Sequence, residues 1–102
     1  MTTDLTTAIK LFQEYKLDEA QQAFELLYEK DKHNLEVMLY LGRIHSRTQN
    51  YGEALNYFNQ AIEIDKENAT AKTGIQLIKN ILQLTNNFYF ENSYTDDDLY
   101  DV

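Results

Sequence analysis

Apolar residues along this chain fall three and four positions apart and are broken by short polar runs, a rhythm that predicts five amphipathic helices. The first helix, over about 3–15, carries Leu5, Ala8, Ile9, Leu11, Phe12 and Tyr15 on one side. The second, over about 18–30, turns Ala20, Ala23, Phe24, Leu27 and Tyr28 inward, and Asp31 to Asn34 make a polar connector. A third spans about 35–48 with Val37, Met38, Leu41 and Ile44. After the turn Gln49-Asn50-Tyr51, a fourth spans about 52–64 with Ala54, Leu55, Phe58, Ala61 and Ile62. Asn34 and Asn68 precede helices as caps, because the side-chain oxygen accepts a backbone N–H that has no partner in the first turn. The fifth helix, about 69–84, places Ile75, Ile78, Ile81 and Leu82 on one side, with Leu77 and Leu84 partly round the other. Asn86-Asn87 predicts its stop, Phe88-Tyr89-Phe90 an aromatic cluster folded back onto it, and Asn92 to Val102 a mobile acidic tail.

The pattern also repeats at a spacing of 34: Glu19, Ala20, Phe24, Glu29, Asp31, Lys32 and Asn34 recur as Glu53, Ala54, Phe58, Glu63, Asp65, Lys66 and Asn68. One helix-turn-helix unit of that length cannot bury its apolar side alone and stacks on a copy of itself. The expected fold class is therefore all-α. A domain over 3–85 would hold one repeat at about 1–34, a second at about 35–68 and a capping helix at about 69–84, with 86–102 as an aromatic and then acidic tail. Such repeats present an extended surface rather than a closed cavity, which points to a protein that holds another polypeptide and catalyses nothing.

Composition narrows this reading. With 102 residues there is room for one small domain, and no Pro, no Trp and only three Gly suit a helical chain with few sharp turns. Cys is absent, which removes disulfides and thiolate metal sites. Met1-Thr2-Thr3-Asp4 lacks the basic start and apolar run of a signal peptide, and no stretch reaches the roughly 18 apolar residues of a membrane helix, so a cytoplasmic protein without a membrane partner is expected. The net charge of −8 makes nucleic acid a poor partner, since phosphate affinity needs clustered Lys and Arg.

In its second copy the chain resembles the tetratricopeptide repeat family: Met38, Leu41-Gly42, Ala54, Phe58 and Ala61 stand at that family's spacing, and Tyr51-Gly52-Glu53-Ala54 looks like its inter-helix turn. Gly42 and Ala54 are small where two helices cross closely, and Phe58 fills the gap beside them. The first copy matches at Ala8, Leu11, Ala20 and Phe24, while Asp4 and Thr7 occupy normally apolar slots. His45 replaces a usual aromatic, and Lys32 and Lys66 stand where the family often has Pro. The resemblance implies a short right-handed superhelix of antiparallel helix pairs with a concave groove, lined by the first helix of each pair. On that face it would place Leu5, Ile9, Phe12, Leu39, Tyr40, Arg43, Arg47 and Leu77. Some family members clamp the acidic C-terminus of heat-shock proteins with Lys and Asn on the first helix. Here Leu5, Ile9 and Phe12 occupy that face, which suits an apolar or aromatic segment instead.

Arg43 and Arg47, four residues apart, could hold a carboxylate while Tyr40 packs on an apolar neighbour; a solvated helix face is the competing reading. His45 reads as a packed helix residue, since no third ligand stands at metal spacing. Asp96-Asp97-Asp98 lacks the alternation and Gly of a calcium loop. Ser46 and Ser93 have no supporting His and Asp, and no Gly-rich phosphate loop occurs, so neither an enzyme nor a cofactor is expected. The leading expectation is an adaptor that binds a protein or peptide of unspecified identity. The alternatives are a homodimer formed through the capping helix and aromatic cluster, and a non-catalytic regulatory subunit.

Overall fold

The computed structural model describes the backbone of residues 4–93 and the side chains of residues 4–84. Five helices run in order, α1 (Leu5–Gln13), α2 (Leu17–Lys30), α3 (Leu35–Arg47), α4 (Tyr51–Ile64) and α5 (Ala69–Ser93), with no strand among the described residues. The period of the sequence reappears in the backbone. Asn34 Oδ1 accepts from Val37 N–H at 3.1 Å, and Asn68 Oδ1 accepts from Ala71 N–H at 2.9 Å. Just before each cap, the side chain of Asp31 or Asp65 accepts from the backbone N–H of His33 or Glu67. These Asp-centred turns bend the connectors at Lys32 and Lys66.

Within each pair the turn is also duplicated. Lys16 N–H donates to Leu11 O, and Asn50 N–H donates to His45 O, in the six-to-one bond that ends a helix. That geometry puts Tyr15 at φ 63° and Gln49 at φ 65°, in the left-handed region. Tyr15 therefore leaves the apolar face on which its spacing had placed it and stands 75% exposed. The helix has already ended, so the three-and-four rhythm no longer governs where this side chain points.

Packing follows the stacked pairs. Ala8, Phe12, Ala20, Ala23, Phe24, Val37, Leu41 and Ile44 form one core between the first pair and α3. Met38, Ala54, Phe58, Ala61, Ala71 and Ile78 form the next, between the second pair and α5. The helices approach closely where the residues are small: a Cβ added to Gly42 or to Gly74 would lie 2.6 Å from the Phe58 ring, which is 1% exposed. Tyr28 Oη–H donates to Gln60 Oε1 at 2.7 Å and ties α2 to α4.

α5 runs past its expected end at Leu84 and through Asn86-Asn87 to Ser93. The backbone of Phe88-Tyr89-Phe90 thus belongs to the helix rather than to a segment turned back on it. Each Asn costs only about 0.7 kcal/mol relative to Ala in a helix, and no Gly or Pro follows to end it. The side chains of that cluster, and the expected tail beyond Ser93, lie outside the described residues.

Candidate functional site

The α1 and α3 helices meet through aromatic rings. Phe12 on α1 meets Tyr40 on α3 edge to face at 5.2 Å, and Tyr40 stacks in turn on Phe24 of α2, with ring centroids 4.9 Å apart and planes at 11°. Tyr40 lies one turn before Arg43 and two before Arg47 on α3, so all three share a face. The Arg43 guanidinium lies 4.8 Å from the Phe12 ring centroid and 5.4 Å from that of Tyr40. Arg47 lies 4.7 Å from Phe12 and 5.7 Å from Tyr15. A cation over a ring face is attracted by the ring quadrupole, worth about 0.5–1 kcal/mol at exposed sites. The effect here is to hold two long side chains in place beside each other.

Neither arginine has a carboxylate partner among the described residues, where the ion pairs use Lys16, Lys32 and Lys72. In a chain of net charge −8, two adjacent unneutralised guanidiniums concentrate positive potential on one face.

Across from α3, the first turns of α5 complete the site. Arg43, Ser46 and Arg47 face Thr70, Thr73, Gly74 and Leu77 across an open hollow of about 520 Å³, with Phe58 contributing to its lining. The hollow exists because α5 carries Gly at the position that Tyr40 holds in α3, 34 residues earlier. With no side chain there, the α5 backbone lies directly on Phe58 and the outer space is left open.

The residues expected to share a face separate into groups. Phe12, Tyr40, Arg43 and Arg47 form one contiguous cluster, and Leu77, 55% exposed, stands across the hollow from the arginines. Leu5 and Ile9 pack partly against the first core, and Leu39 against the second. Phe12 is buried, with both guanidiniums lying over its ring. Tyr40 finds its apolar neighbours inside the protein, in Phe12 and Phe24. Thr73 and Gly74 were not singled out by sequence reasoning, and Ser46 was weighed there only as a nucleophile. The signal that could have found Gly74 is its substitution for the Tyr40 of the preceding repeat, a break in the period.

His45 is 5% exposed, stacks on Tyr57 at 5.7 Å, and has Nδ1 buried without a hydrogen-bond partner. The Tyr57 phenol is pushed above its ordinary pKa, chiefly by burial and then by the nearby Glu25 carboxylate. Among the described residues no three ligating side chains cluster as a metal site, and no helix is long and apolar enough to cross a membrane.

Comparison with known proteins gives one assignment. The family pattern described as Tetratricopeptide repeat matches residues 11–78, more than half of the chain, from the end of α1 through α2, α3 and α4 to the first turns of α5. No curated protein matches the chain.

Proposed function

The chain belongs to the tetratricopeptide repeat family, whose repeats generally mediate protein–protein interaction and are typically non-catalytic, and from that premise we propose that it is an adaptor holding a peptide or protein segment on the concave face formed by α1, α3 and α5. The observation that carries this reading is the pair Arg43 and Arg47, ordered over Phe12 and lacking carboxylate partners among the described residues of an acidic chain. Leaving two cations together has an electrostatic cost that a bound carboxylate would relieve. Their position on the rings limits the side-chain entropy lost on binding, which is about 0.5–1.5 kcal/mol for each immobilised flexible side chain. Leu77 is exposed and Leu5, Ile9, Leu39 and Tyr40 are half-buried, so each keeps surface with which to give such a segment apolar contact.

Site-specific photo-crosslinking tests this. A crosslinker at Leu77 should capture a partner that one at Asn59, exposed on α4, does not, and Arg43→Glu should abolish the capture. Equal capture from both positions would place binding elsewhere.

Exposure on α5 favours a second reading, association of two copies through that helix. Leu82 is 37% exposed and Leu84 70% exposed. Sedimentation would decide it: a dimer that Leu84→Glu converts to monomer supports this reading, and a monomeric parent chain rejects it.

A further inference from the structure

The second and third concave helices differ at the position that shapes the hollow. Tyr40 of α3 lays its ring on Phe24, and α5 carries Gly74 at the equivalent place, over Phe58. The first repeat thus fills from within a position that the second leaves open. At about 520 Å³ the hollow lies within the roughly 300–1,000 Å³ typical of ligand sites. Its wall on one side is Leu77, 55% exposed, and on the other Arg43 and Arg47.

We propose that this hollow anchors an acidic segment of a partner protein by one bulky apolar or aromatic side chain, with a neighbouring carboxylate held by Arg43 and Arg47. The inference rests on the partner-binding reading above and adds the chemistry of the partner. The apolar group covers Leu77 and the surface beside Gly74, where water is otherwise in contact with carbon. The carboxylate meets guanidiniums that present paired donors in one plane. A segment with only the ring or only the charge satisfies half of the site. The net charge of −8 on the chain disfavours acidic segments elsewhere on its surface, so the arginine pair also selects where such a segment lands.

The test is an NMR titration of the full chain with the synthetic peptide Gly-Ser-Asp-Asp-Tyr-Asp-Gly-Ser. Amide shifts should centre on Thr73, Gly74 and Arg43. Replacing the peptide's Tyr by Ser, or its Asp residues by Asn, should weaken binding about tenfold, the scale of losing a hydrogen bond to a charged group or a buried ring. Thr73→Trp, at an exposed position on the hollow's wall, should fill it and weaken binding about as much without disturbing the core. Arg43→Gln combined with Arg47→Gln should do the same, whereas Lys32→Gln should change nothing. Undiminished binding of the Asn peptide, or an equal effect from Lys32→Gln, overturns the proposal. Shifts confined to Leu5 and Ile9 overturn the anchor and leave the broader reading standing, while shifts confined to α2 and α4, such as at Leu26, overturn both. Finally, substituting Ser for Tyr94, Leu99 and Tyr100 in the full chain should leave the Gly74 amide where it is without peptide. Movement there would assign the hollow to the chain's own C-terminal residues and overturn a partner as its occupant.

Discussion

Phe58 sets the spacing of the second repeat, because two glycines from different helices press on opposite edges of its ring. Gly42 and Gly74 would each bring a Cβ to 2.6 Å from that ring, and the ring, 1% exposed, has nowhere to move. Gly42→Ala gains about 1 kcal/mol of helix propensity but overpacks the core by about 1–3 kcal/mol, so a net loss of stability is expected in chemical denaturation. Phe58→Ala should cost about 3–5 kcal/mol, a large part of what so small a domain has. Gln49 behaves in the opposite sense. Its φ of 65° strains any residue with a Cβ, and its side chain is exposed, so Gln49→Gly should stabilise the protein by about 1 kcal/mol, read as a raised denaturation midpoint. Its counterpart Tyr15 has the same backbone but also touches Arg47, so the equivalent change there removes a contact as well.

Each helix is fixed at its start by a different amount of sequence. Asn34 and Asn68 were legible as caps because they stand before apolar runs at repeated positions, and both make the expected bond. Asp4, expected at a normally apolar slot of the repeat, caps α1: Thr7 N–H donates to its Oδ1 at 2.8 Å. That bond, first through the backbone N–H, holds the Asp4 carboxyl below its usual value of 3.8. A depressed folded-state pKa contributes stability that is present above the unfolded value and lost as pH falls through the folded one. An NMR titration should therefore place the Asp4 midpoint below 3.8, and the Thr7 amide, measured against its intrinsic exchange rate at each pH, should lose protection only under more acidic conditions than that. A midpoint at or above 3.8 would show that the cap does not form. The end of α5 escaped sequence reasoning because two Asn residues weaken a helix without stopping it.

For the whole molecule, the fifth helix closes the stack. Ala71 and Ile78 complete the core built by Met38, Ala54, Phe58 and Ala61, and without them the apolar sides of α3 and α4 face water. A chain ending at Asn68 should lose cooperative unfolding or aggregate, measured by thermal melts and light scattering. A monomeric, fully helical fragment would show instead that the two helix pairs suffice. Because each pair touches chiefly its neighbours, damage at Phe24 should weaken the first core more than the second, in keeping with a stack stabilised by nearest-neighbour contacts.

The sequence by itself determined that there are five helices, their pairing and most of the buried residues, because helical periodicity and a spacing of 34 encode which side of each segment must leave water. Ala8, Ala20, Phe24, Leu41, Ala54, Phe58 and Ala61 were readable as packing positions on that basis, and Gly42 from the family resemblance; all are buried. Leu11 is half-buried against the first core. What only the tertiary structure decided was how side chains from different helices combine at the surface. Arg43 and Arg47 were readable as neighbours on one helix, yet the ring that orders them, Phe12, comes from another. Gly74 went unread in the sequence, and whether a missing side chain leaves a hollow or lets two helices close over it depends on how near their backbones come. Here both occur: α5 settles onto Phe58, and the space beyond it stays open between the arginines and Leu77.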